Sequence, residues 1–247
     1  MNSTIPPLTD EWIPHASTET TLSASLQNSS EILPCATGDN DIPTYKDIST
    51  IPFYKILSRG MVACWYSHLQ VLRKLALSLS TTVAYDDDWD GREGVAIVFE
   101  DDIDVESDIE RRLKDMWSDL PKDWDMLFLG HCWSDESVNP PVSPSSPIHL
   151  SNAPKCTHAY AVSPRGAHRL LLHLTYPPFA FSRALDQAFA HLIRSGRINA
   201  YSVVPSIVIQ RKERNDSDIW ATSEGSTWRE TLQHSAFEAM GNNSVLL

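Results

Sequence analysis

No C-x-x-C pair occurs in this chain of 247 residues. Its 4 cysteines, Cys35, Cys64, Cys132 and Cys156, lack the paired spacing of a structural zinc site. No apolar run approaches the roughly 18 residues that cross a bilayer. The first residues, Met1-Asn2-Ser3-Thr4-Ile5-Pro6-Pro7, have neither the basic start nor the apolar core of a secretory leader. As written, the chain is expected to enter no secretory pathway unaided. No Gly-containing twelve-residue loop has the acid spacing of a calcium-binding hand, which counts against an acidic calcium module. Basic residues are also in short supply. Against 32 Asp and Glu there are 20 Lys and Arg, a net charge of -12. That balance argues against a general nucleic-acid binder. No internal repeat is present.

What is present is long enough for one α/β domain or two small ones with a sizeable core. Residues 1–50 are rich in Ser, Thr and Pro and show no sustained period, so they read as an irregular arm. Order is expected from near Ile51 to residue 212, with a polar tail over 213–247. Val62, Trp65, Leu69, Leu72, Leu75, Ala76 and Leu79 recur at helical spacing and predict an amphipathic helix. Asp86 to Glu93 read as a solvated acidic loop. Gly94 to Phe99 is an apolar run of the length and composition of a strand buried on both faces. It ends in Glu100, Asp101 and Asp102.

A helix is expected from Val105 to Leu120, ended by Pro121. A second strand spans Asp125 to Gly130. A long surface loop follows from Trp133 to Pro154, and a third strand from Thr157 to Val162. Ser163-Pro164 predicts a capped helix running to Leu174. Another helix is expected from Ser182, stopped by Gly196. Short strands follow at Tyr201–Val204 and Ile207–Ile209. Strands alternating with helices argue a mostly parallel, Rossmann-like sheet flanked by helices.

Ligands of such sheets bind beyond the carboxyl ends of the strands. Three carboxylates there repel one another unless a cation sits among them, and a hard divalent metal takes oxygen ligands. The competing reading is a solvated acidic cluster opening the next helix. Cys132 and Cys156 flank one loop and either close it by a disulfide or remain two buried thiols. Asn2, Asn28, Asn215 and Asn242 stand in glycosylation sequons, several of which chance alone would supply in so Ser/Thr-rich a chain.

The order of segments resembles glycosyltransferase family 25, which includes lipopolysaccharide and collagen galactosyltransferases. Gly60-Met61-Val62-Ala63-Cys64-Trp65-Tyr66-Ser67-His68 resembles that family's Gly-Glu-Ile-Gly-Cys-x-x-Ser-His helix. Glu100-Asp101-Asp102 matches its Glu-Asp-Asp strand end. Asp123-Trp124-Asp125 with Phe128-Leu129-Gly130 matches the next landmark. Thr157-His158-Ala159-Tyr160 with Ser163-Pro164-Arg165-Gly166-Ala167 follows, then Asp186 and Pro205-Ser206. The Gly-His-Cys and Lys-Cys-Thr-His variants are similar to fungal members. The likeness covers roughly residues 55 to 210. Two departures stand out. Nothing before Ile51 matches the family's opening Ile-Asn-Leu-x-Arg strand and turn, so the first β-α-β portion is expected to be missing. Met61 replaces the Glu of the helix motif.

The resemblance implies a GT-A-like fold and an inverting transferase. Its donor would be a UDP-sugar, carrying galactose or glucose, and its acceptor a glycan or a glycoprotein. It implies Mn2+ or another divalent cation, and a secretory lumen (ER or Golgi). Asp102 is the first metal ligand to expect, with Glu100 and Asp101 helping directly, through water or through sugar hydroxyls. Asp186 is the candidate base, or else a stabiliser of its helix's first turn. His68 is a core histidine or a ligand. His131 and His158 complete the metal site or orient neighbours by hydrogen bonds. Arg183 pairs with Asp186 or a phosphate, or lies exposed. Arg211, after Gln210, reaches the diphosphate or ends in solvent. Trp124 and Trp133 stack on sugar or are buried. The alternative function is a non-catalytic homologue that serves as a binding or scaffold partner.

Overall fold

The structure, a computed structural model, describes residues 59–79, 94–177, 179–211 and 231–243. The expected arm, the onset of order near Ile51, the acidic loop at 86–93 and the sequons at Asn2, Asn28 and Asn215 lie outside the described residues. So does the side chain of Asn242.

Helix α1 spans Arg59–Leu79. Its buried stripe is Met61, Trp65, His68, Leu69, Leu72 and Ala76. Val62, expected on that stripe, is exposed, and Met61 takes its place one residue earlier. Strand β1 is Ala96–Phe99 and β2 is Ile103–Val105. Helix α2, Ile109–Met116, is shorter than the expected Val105–Leu120 helix, and a 3-10 turn at Trp117–Asp119 completes it. β-branched Ile103 and Val105 suit a strand better than a helix, and they pair there with Gln210 and Val208. Then come β3 (Met126–Phe128), β4 (Ile148–Leu150), β5 (Ala159–Val162), α3 (Pro164–Thr175) and α4 (Leu185–Arg194). Strands β6 (Ala200–Val203) and β7 (Val208–Gln210) and helix α5 (Ala236–Asn243) complete the described elements.

The main sheet runs β1-β5-β3-β6-β4, and β2 pairs with β7 in a separate ribbon. Only β3 and β6 are parallel; β1/β5, β3/β5 and β4/β6 are antiparallel. The expected mostly parallel sheet is thus a mixed one flanked by helices. The reason lies between β3 and β5. A parallel return needs a crossover, usually a helix, and residues 129–158 supply only a 3-10 turn and strand β4. The stretch expected as surface loop therefore adds a strand to the sheet.

Side chains alternate across the sheet between two cores. Met126, Phe128, Tyr160 and Val162 face α1, α3 and α4. Leu127, Leu129, Ala159, Ala161, Tyr201 and Val203 face the side of α2 and Trp124. This two-sided burial explains the continuous apolar runs of β3 and β5. β1 departs from it. Val98 is buried, but Ile97 is 39% and Phe99 45% exposed, so this strand, last in the sheet order among the described residues, covers one core only.

Ser163 caps α3 as expected: its Oγ accepts from the Gly166 amide at 2.9 Å, with Pro164 in the first turn. α4 does not begin at Ser182. That residue closes a turn onto Phe179, and Phe181 adopts a positive φ, so the helix starts three residues later with Asp186 in its first turn. Gly196, at φ 67, stops α4. Asp125 is fully buried under three donors: Arg165 Nε at 2.9 Å, Arg169 Nη1 at 2.6 Å and the Asn199 amide at 2.8 Å. The Asp-Trp-Asp landmark is thus a structural clamp joining β3, α3 and β6.

Candidate active site

The acids that follow β1 separate into different environments. Glu100 is partly buried. Its Oε1 accepts from Thr157 Oγ1 at 2.7 Å and lies 3.2 Å from His68 Nε2. His68 sits on the buried stripe of α1, and its Nδ1 is 2.9 Å from the Tyr160 hydroxyl. Burial, with the charge of Glu100 next, pushes the Tyr160 phenol well above its ordinary pKa, so it stays protonated. The other ring nitrogen of His68, Nε2, faces Glu100. Burial alone would raise the Glu100 carboxyl. The hydrogen bonds from His68 and Thr157, with the charges of His68 and His158, outweigh it and hold that group below its usual value.

Asp101 is exposed on the turn. Asp102 is half-buried. Its backbone carbonyl accepts from the Arg211 amide, and its Oδ2 from Gln210 Nε2, both at 2.6 Å. The β2–β7 ladder delivers Gln210 to that point, because Ile103 pairs with Gln210. The other carboxylate oxygen, Oδ1, is buried and accepts no hydrogen bond from another residue. Burial raises the Asp102 carboxyl above its ordinary pKa; the Gln210 bond opposes this and the charge of Glu100 adds to it. A buried carboxylate oxygen with no partner from another residue, near a second acid, suits a hard cation.

Cys64, His68 and Glu100 form a second group, each offering one ligand atom within 4.8 Å of the others. Burial and the charge of Glu100 push the Cys64 thiol up to about 11, so an ion held there would have to displace its proton.

Asp186 comes from α4. Its Oδ1 accepts from the Gln187 amide at 2.7 Å and its Oδ2 from the Cys156 amide at 3.4 Å. Both Glu100 and Asp186 act electrostatically on the Cys64 thiol. The segment 155–157 ties them together. Cys156 donates to Asp186, Thr157 donates to Glu100, and Lys155 Nζ donates to Gln187 at 2.6 Å. Cys132 and Cys156 are joined by a disulfide with Cα atoms 5.7 Å apart, and backbone bonds between Cys132 and Lys155 flank it.

The remaining candidates lie around this centre. His158 is buried, bonds the Val208 carbonyl at 3.3 Å, and acts on both Glu100 and Asp102. Gly130 leaves room for it, because a Cβ there would collide with the His158 ring and the Val208 carbonyl. His131 is buried beside Glu136 and the Val203 backbone, and burial lowers its pKa. Arg211 brings its main chain to Asp102, while its guanidinium lies 3.7 Å over the Phe237 ring of α5. Trp124 is buried against Trp117; Trp133 is 52% exposed. Sequence reasoning missed the part played by Gln210, Thr157 and Tyr160 in holding the acids. The β-branched Ile103 and Val105 were the available signal for the ribbon that carries Gln210.

The chain is similar to procollagen galactosyltransferases 1-A and 1-B of Xenopus laevis, 29% and 28% identical over 137 residues. Those residues are 53% of this chain and 19% of each relative, so the chain spans a minor part of their length. No family model matches. The likeness is to glycosyltransferases, at a distant level. Among the described residues no helix is long and apolar enough to cross a membrane.

Proposed function

We propose that this chain is a metal-dependent, inverting glycosyltransferase that moves a hexose, galactose or glucose, from a UDP-sugar to a glycan or protein-linked acceptor. The observation that carries the reading is Asp102, whose buried Oδ1 lacks a partner from another residue while Gln210 fixes Oδ2. Asp102, with Glu100 beside it, would hold the divalent cation, Mn2+ in the family it resembles. When bound, that ion neutralises charge on the departing diphosphate as a Lewis acid. The His68 and Thr157 bonds keep Glu100 anionic and still.

Asp186 is the proposed base. The acceptor oxygen forms a bond to the anomeric carbon as the bond from that carbon to the diphosphate breaks. The bonding pair leaves with UDP, and the acceptor proton passes to an Asp186 oxygen. The disulfide supports work in an oxidising compartment such as the secretory lumen.

Titration of UDP into the protein by calorimetry, with and without Mn2+, tests the reading. Wild type is expected to bind UDP only with the metal, and Asp102→Asn to lose that binding. Metal-independent binding, or full binding by the variant, would overturn it.

A further inference from the structure

The two tryptophans flanking β3 have opposite environments. Trp124 is 1% exposed and fills a core, whereas Trp133 is 52% exposed. Trp133 also has φ 54, a left-handed backbone that bulky L residues rarely adopt. Such outliers persist where the surroundings over-determine them, and they gather at ligand sites. Here the surroundings are covalent. Trp133 directly follows Cys132, which is buried, bonded to Cys156, and paired to Lys155 by backbone bonds of 3.0 and 3.1 Å. An exposed indole is thus carried on one of the most firmly tied points of the fold. The other side of that tie bears Asp186, through the Cys156 amide, and Gln187, through Lys155.

We propose that Trp133 is the acceptor platform: its exposed indole face receives the C–H face of a pyranose ring in the acceptor. This rests on the transferase reading, in which Asp186 takes the proton of an acceptor hydroxyl. A base and its acceptor are neighbours, so a flat apolar surface tethered to the base's own hydrogen-bond donor stands on the acceptor side. Lys155, Gln187 and Asp186 are the polar side chains on the other side of the tie. A ligand with one apolar face and a ring of hydroxyls matches this combination of aromatic surface and few polar groups.

Saturation-transfer NMR with methyl β-galactopyranoside tests it without donor or turnover. Wild type and Trp133→Phe are expected to saturate the C–H protons of one sugar face, and Trp133→Ala to lose most of that signal. Because Trp133 is exposed, Trp133→Ala should melt with wild type. Equal saturation in wild type and Trp133→Ala would overturn the platform. So would UDP binding with no saccharide signal in wild type, which leaves the transferase reading standing. A saccharide signal that depends on Trp133, in a chain that binds no UDP with Mn2+, would support the sugar contact and sink the transferase reading instead.

Discussion

Single residues set the chemistry here through their partners. Three consecutive acids have three fates: Glu100 is gripped by His68 and Thr157, Asp101 is exposed, and Asp102 keeps one buried oxygen without a partner from another residue. Charge alone could not have separated them, since their partners lie tens of residues away. Asp186 gives the sharpest test at this scale. Asp186→Asn keeps the size and, through its one amide oxygen, the bond from the Gln187 amide, but cannot take a proton at neutral pH. Transfer is expected to fall about 10²–10⁴-fold with UDP binding unchanged. A variant that transfers normally would leave Asp186 a helix-stabilising residue only.

At the scale of elements, long periodic segments were legible and their ends were less so. The stripe of α1, the Ser163-Pro164 start of α3 and the Gly196 stop of α4 follow from local chemistry that one window of sequence contains. The direction of β5 does not, because it depends on what the 129–158 connection lacks. The β2–β7 ribbon was hidden for a similar reason: each strand is three residues long and pairs across a hundred positions. α5 was legible in principle. Ser235-x-x-Glu238 is a capping-box spacing, and Ser235 Oγ accepts from the Glu238 amide at 3.0 Å while donating to Asp104 Oδ2 at 2.6 Å. Ser235→Ala is expected to cost about 1 kcal/mol. Native-state hydrogen exchange should register that loss at Phe237 to Met240 before it reaches β3.

The whole molecule carries a pH limit set away from the site. His173, in the last turn of α3, is held neutral by burial and by the charges of Arg197, Arg169 and His191, with its pKa lowered to about 4. Burial depresses His131 and His168 as well. An unfolded chain takes these protons near the ordinary histidine value, so between that value and the folded one the unfolded state binds more protons. Stability is therefore full above about pH 6.5 and falls as the pH drops toward 4, by about 3 kcal/mol for His173. Urea melts across that window should show the fall, and His173→Gln should flatten it.

The hydrogen bonds that arrange the acids span long stretches of chain: 32 residues from His68 to Glu100, 57 from Glu100 to Thr157 and 108 from Asp102 to Gln210. Each closes a large loop before it returns any free energy, and such contacts slow folding. Glu100 and Asp102 therefore gain these partners only as the long-range structure forms. While a ribosome is still making this protein, Glu100 and Asp102 emerge long before Thr157 and Gln210 exist to hold them.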